Sequence, residues 1–117
     1  MIVKKWGIYK ANLDPTIGSE QGKSRPVIVV SEEQIYELLN IINILPITSR
    51  KPNRTIYPNE AVIEQDLYGL PNESIVLFHQ IRTIDKQRIV HHYGDINVEQ
   101  KQIEIMASLC FQLGIKN

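Results

Sequence analysis

The sequence predicts a mainly β domain of the α+β class: about six short strands forming a small, partly open barrel, closed by one C-terminal helix. Three observations point there. Residues 7–13 alternate, with Tyr9, Ala11 and Leu13 on one side and Lys10 and Asn12 on the other, the pattern of a half-buried strand. Residues 26–30, Pro-Val-Ile-Val-Val, form a continuous β-branched run that suits a strand buried on both faces. Near the C-terminus the apolar period changes from two to that of a helix.

Taken in order, the first strand stops at Asp14-Pro15. Residues 14–24 hold Pro, two Gly and small polar residues, which predicts a long loop. After the 26–30 strand, Ile35, Leu38 and Leu39 fall at helical spacing behind Ser31, with Gln34 three residues on, so a short helix is expected over 32–39. Residues 41–48 are apolar and read as a strand. A helix running on to about Ile44 is the alternative. Pro46 cannot donate to a ladder and is expected on an outward edge or at a bulge. Residues 49–59 carry Arg50, Lys51, Arg54 and two prolines, a basic loop. Residues 61–64, 74–79 and 88–93 read as three further strands, split by turns at 69–72 and 85–86. The closing helix is expected to pack Ile103, Met106, Ala107, Cys110 and Leu113 inward, with Asn97 and Gln100 as a capping box and Gly114 just past its end.

With 117 residues, 43% of them hydrophobic, the chain has material for one domain (1–117) and one modest core. Its longest apolar-leaning stretch, residues 35–47, is interrupted by Glu37, Asn40, Asn43 and Pro46, far short of the ~20 residues of a membrane-spanning helix. No apolar run follows the Lys4-Lys5 pair as it would in a signal peptide, so no membrane association and a cytoplasmic location are expected. Cys110 is the single cysteine and excludes an internal disulfide framework. Thirteen basic residues balance thirteen acidic ones, but the first 54 residues carry a net +3 and the rest −3.

Three constellations fall away. Gly18-Ser-Glu-Gln-Gly-Lys-Ser24 has three residues between its glycines where a nucleotide phosphate loop has four, and a strand rather than a helix follows. His91 and His92 are adjacent on an expected strand and point to opposite faces. With only His79 and Cys110 besides, ligand supply for a metal is poor, and no metal or cofactor is expected. Cys110 reads as a small buried hydrophobe. What survives is Arg25 at the mouth of a central strand, behind a loop holding Ser19, Glu20, Gln21, Lys23 and Ser24. Thr48 and Ser49 end another strand just before the basic loop with Arg50. Hydroxyls and cations converging there suit an anion; the competing reading is that Arg25 pairs with Glu20 or Asp14 and Thr48 merely ends a strand.

Residues 13–30, Leu-Asp-Pro-Thr-Ile-Gly-Ser-Glu-Gln-Gly-Lys-Ser-Arg-Pro-Val-Ile-Val-Val, together with Ile47-Thr48 and Gln80-Ile-Arg-Thr-Ile-Asp-Lys86, strongly resemble the MazF/PemK family of toxin endoribonucleases, in order and spacing along nearly the whole chain. The resemblance implies an SH3-like barrel, a symmetric homodimer, a cognate antitoxin, and metal-independent cleavage of single-stranded mRNA at short sequences. It makes Arg25 and Thr48 the catalytic pair. Cleavage through the ribose 2′-OH needs charge stabilisation, which a planar, permanently charged Arg25 supplies. Glu20 is then the candidate base and Thr48 a hydrogen-bond donor. Ser19, Gln21, Lys23, Ser49, Arg50 and Gln80 are the candidate RNA contacts. The chain departs from the family pattern at His79, where relatives commonly have Glu, at Trp6, and at Ile17. Two alternatives share the fold: a gyrase-inhibiting toxin of the CcdB type, whose terminal Trp-Gly-Ile is not matched by Leu113-Gly-Ile-Lys-Asn117, and an RNA-binding barrel without activity.

Overall fold

The computed structural model describes residues 2–32 and 38–116. The described residues form seven antiparallel strands and one helix: β1 (Gly7–Asn12), β2 (Ser24–Val29), β3 (Ile41–Ser49), β4 (Glu60–Ile63), β5 (Ser74–Leu77), β6 (Arg82–Asp85), β7 (Ile89–Asp95) and α1 (Glu99–Leu113). The sheet runs β4-β5-β3-β2-β1-β7, with β6 also paired to β3. The short helix expected over 32–39 falls largely outside the described residues.

β3 organises the sheet because it is long enough to serve two partners on one edge. Residues 41–44 pair with β6 and residues 47–49 with β5, while 44–46 pair with β2 on the other side. Pro46 is therefore buried in mid-strand rather than on an outward edge. The Asn43 carbonyl accepts from Val30 N–H at 3.0 Å and Asn43 N–H donates to Ser31 Oγ at 3.1 Å, so odd-numbered residues of β3 face β2. Pro46, lacking a donor, faces the gap between β6 and β5, where no ladder partner exists. β6 is the strand that no local pattern announces, because Arg82–Asp85 carries only Ile84 as a buried apolar residue. Residues 78 and 79 likewise leave the expected 74–79 strand and, with Gln80, form a 3-10 turn.

Both faces of β1–β3 are covered, which is why residues 27–29 form an uninterrupted apolar run. Ile8, Ile28, Leu45 and Ile47 pack with Phe78, Ile105 and the β4–β5 hairpin on one side. Tyr9, Ala11, Val27, Val29, Ile42 and Ile44 pack with Ile84 on the other.

The face of α1 differs from the expected one. Ile105 and Leu109 are the buried apolar positions and Met106 packs partly against the core, whereas Ile103 and Leu113 are about half exposed, at 53% and 50%. Lys101 also turns inward, donating to the Val62 carbonyl and Glu64, each at 3.0 Å, and so clips the helix to β4. A helix whose apolar residues cover more than one stripe has two candidate faces, and the sheet selected the one ending in this lysine clip. Val98 stands at the N-cap without a side-chain bond, so Asn97 and Gln100 form no capping box. Gly114, at φ +70°, closes the C-terminus as expected.

Candidate active site

Arg25 enters the site on β2, opposite Ala11 of β1; Thr48 enters on β3, opposite Ile75 of β5. The paired residues of β2 and β3 end at Val27 and Pro46. Two residues further along each strand stand Arg25 and Thr48, where β2 stays paired with β1 and β3 with β5. The ladder stops there because of a proline. Continuing the register would pair Ile47 with Pro26, and Pro26 has no N–H to give. The strand ends border a cleft of about 290 Å³, lined by Arg25, Thr48 and Ser49 together with Leu70, Pro71, Asn72 and Tyr93.

Arg25 Nε donates to the Gly22 carbonyl at 2.8 Å, and among the described residues Arg25 joins no ion pair. Neither Glu20 nor Asp14 is its partner. The guanidinium is thus aimed by the loop while its terminal N–H groups remain for an anion. Glu20 instead ties its own turn: Oε1 accepts from Ile17 N–H at 2.6 Å, and Glu20 N–H donates to the Ile17 carbonyl at 3.2 Å. Asp14 accepts from Lys23 N–H at 2.8 Å.

Gln80 clasps the loop from across the fold. Its amide donates to the Ser19 carbonyl at 3.0 Å and accepts from Gln21 N–H at 3.1 Å. Ser19, Glu20, Gln21 and Gln80 line a second cleft of about 440 Å³, which His79 and Arg82 complete. The loop residues next to Gly22 link this cleft to Arg25. Lys23 is exposed and lines neither cleft. Arg50 is committed elsewhere, with Nε and Nη2 on the Arg54 carbonyl at 3.2 and 2.9 Å and Nη1 on Glu73 at 3.0 Å.

The far wall of the first cleft is not legible in the sequence as part of a site. Leu70, Pro71 and Asn72 read as a turn and Tyr93 as a strand residue. The signal that joins them is a pair of glycines, Gly69 and Gly94, whose backbones touch. Among the described residues no three His, Cys, Asp or Glu side chains converge on a metal-sized site, and no helix is long and apolar enough to cross a membrane.

Comparison with known proteins places this geometry in context. Residues 4–112 match the family described as PemK-like, MazF-like toxin of type II toxin-antitoxin system. The chain is 32% identical over 116 residues to Endoribonuclease MazF of Staphylococcus epidermidis, covering 99% of this chain and 95% of the relative. It is 34% identical over 112 residues to Endoribonuclease EndoA of Bacillus subtilis (strain 168), covering 93% and 96%. Among solved structures, the crystal structure of MazF (Form-I) from Deinococcus radiodurans superposes with a TM-score of 0.81 at 24% identity, covering 98% of this chain and 99% of the other. An endoribonuclease in complex with its cognate antitoxin from mycobacterial species gives 0.78 at 17% identity, covering 99% of each chain. At those identities the structures speak to the fold, which is the same antiparallel sheet with one C-terminal helix.

Proposed function

The chain belongs to the PemK-like, MazF-like toxin family of type II toxin-antitoxin systems, and from that premise we propose that it is an endoribonuclease toxin acting on single-stranded mRNA in the cytoplasm, with Arg25 and Thr48 as its catalytic pair. The observation that supports the reading is that Arg25 and Thr48, each just beyond the last β2–β3 pair, line one cleft, with the arginine held by a main-chain carbonyl and by no carboxylate among the described residues.

The chemistry follows from what these groups can do. The ribose 2′ oxygen attacks the adjacent phosphorus, giving its proton to Glu20. The bond to the 5′ oxygen breaks, and that oxygen takes a proton from water in the open cleft, the hydroxide so formed taking back the proton held by Glu20. The products are a 2′,3′-cyclic phosphate and a 5′-OH. Extra negative charge on the phosphorane oxygens is met by the Arg25 guanidinium and the Thr48 hydroxyl. Arg25 stays protonated throughout and is no base. No step calls for a metal. Ser49 sits in the same cleft, Ser19, Gln21 and Gln80 in the adjoining one, and Lys23 on the exposed loop between them. Arg50 acts on RNA through the loop it holds, since its guanidinium is already bound.

The family premise also supports a symmetric homodimer and a cognate antitoxin whose disordered tail folds onto the toxin. Sedimentation at micromolar concentration checks the dimer, and an active, strictly monomeric protein would overturn it.

The decisive experiment is cleavage of single-stranded RNA in excess EDTA, with and without deoxyribose at the cut position. The expected result is cutting of the all-ribose strand alone, with chelation having no effect. Equal cutting of both strands would point to attack by water, and activity lost to EDTA and restored by a divalent ion would sink the metal-free mechanism.

A further inference from the structure

We propose that the cleft beside Arg25 and Thr48 contains a nucleobase slot, with Tyr93 as its stacking wall and the Asn72 side chain reading the base edge. The proposal rests on the reading that RNA is cut at Arg25 and Thr48, and it adds the base next to the cut phosphate.

Tyr93 is not an ordinary ladder residue. Ile8 pairs with Gly94 and Tyr9 with His92, so two consecutive residues of β1 face three of β7, and Tyr93 is the extra one. A bulge of this kind releases a residue from the ladder and re-aims its side chain. Here the half-buried ring rests against the main core and lines the cleft. Its backbone is fixed by the contact of the two glycines. A Cβ on Gly69, at φ +86°, would come within 2.1 Å of the Tyr93 carbonyl oxygen, and one on Gly94 within 2.3 Å of the Tyr68 carbonyl oxygen. The chain then runs from Gly69 straight into Leu70, Pro71 and Asn72. One close approach therefore sets both the ring and the segment that shares the cleft with it.

The chemistry of these walls goes beyond what a phosphate needs. Hydroxyls and cations suffice for an anion, yet this cleft adds an aromatic ring and the apolar Leu70 and Pro71. Ser74 Oγ donates to the main-chain carbonyl of Asn72 at 2.8 Å, while the exposed Asn72 side-chain amide has no hydrogen bond among the described residues; the Tyr93 hydroxyl has none either. Unstacked bases of single-stranded RNA are held mainly by stacking on aromatic rings, and an amide offers a donor and an acceptor to a base edge.

The test starts from the sites that the wild-type protein cuts in random-sequence single-stranded RNA. A decamer carrying the preferred site is then remade with one abasic ribose at each position flanking the cut. One position is expected to lower kcat/KM about 10- to 100-fold, chiefly through KM. In Tyr93→Leu that abasic penalty should disappear, in Tyr93→Phe it should persist, and Asn72→Ala should relax the base preference at the same position. A wild-type scan with no penalty at any position overturns the slot without any variant having to fold. So does a folded Tyr93→Leu protein that retains the full penalty, or one whose only change is its sedimentation, which would assign the ring to contact between protein chains. Arg25→Ala is run alongside: normal cutting by that variant would defeat the catalytic reading, whereas the abasic penalty speaks to the slot alone.

Discussion

Two polar loops join the strands that carry the site, and they use their charges in opposite ways. Residues 14–23 lead into β2 just ahead of Arg25 and hold themselves through short bonds to main-chain groups: Asp14 to Lys23 N–H, Glu20 to Ile17 N–H, Gln80 to Ser19 and Gln21. Arg25 is left with a carbonyl as its partner. Residues 50–59 leave β3 just after Thr48 and are the more basic of the two, yet both of their arginines are spent and only the exposed Lys51 joins no ion pair among the described residues. Arg50 bonds Glu73, and Arg54 grips Glu60 with two parallel bonds of 2.8 and 2.7 Å. The Glu60 side chain is 3% exposed. The Arg54 guanidinium holds its carboxyl below the usual carboxylate range, helped by the Tyr57 N–H. A count of basic residues therefore does not locate an anion site. What matters is which carboxylates the fold has already brought within reach.

If the comparison is right, the largest loss comes from the unpaired cation. Arg25→Ala should lower turnover on the order of 100- to 1000-fold, the usual cost of removing one donor to developing charge, while RNA binding weakens much less. Arg25→Lys keeps the charge without the planar fork and should recover little. Single-turnover cleavage beside a binding titration separates the two effects, and a well-folded Arg25→Ala protein with near-normal turnover would remove the assignment.

Thr48→Val should come next, with turnover down about 10- to 100-fold, because a neutral hydroxyl stabilises the phosphorane less than a guanidinium does. Val suits a strand as well as Thr, so its melting curve should match the wild type.

The basic loop should answer differently. Arg50→Gln is expected to leave turnover near wild type and to lower the melting temperature, since the side chain secures the loop to Glu73 and the Arg54 carbonyl. A large fall in turnover with an unchanged melting curve would return Arg50 to the substrate.

The smallest effect is a pH-dependent one. The fold favours the ionised form of Glu60, so its contribution is fully present above the unfolded carboxylate pKa of about 4.3 and is lost as the pH falls through the lower folded value. The melting-temperature gap between wild type and Glu60→Gln should be widest near neutrality and close below about pH 4. A gap that stays constant into acid would mean that the Arg54 bonds do not depend on charge.

The sequence by itself carried most of the fold because strand and loop signals are local. Alternation over 7–13, the β-branched run over 26–30 and the turn chemistry of 14–24 each report on their own few residues, and β1 (Gly7–Asn12) and β2 (Ser24–Val29) overlap those ranges, β2 starting earlier so that Arg25 lies within it. Arg25 and Thr48 could also be singled out, since one follows a polar loop into a buried strand and the other ends one. Tertiary structure decided the remainder, wherever a residue's role depends on what arrives from far along the chain. β6 forms against β3, some forty residues away, with a single buried Ile84 to announce it. The buried side of α1 was chosen by the sheet and by Lys101 reaching Glu64. Arg50 and Arg25 are equivalent as letters, but only the folded chain brings Glu73 to the first and leaves the second without a carboxylate. Tyr93 enters the cleft through a bulge and a glycine contact that no local window contains, because burial, pairing and electrostatic partnership are properties of the assembled surface rather than of neighbours in sequence.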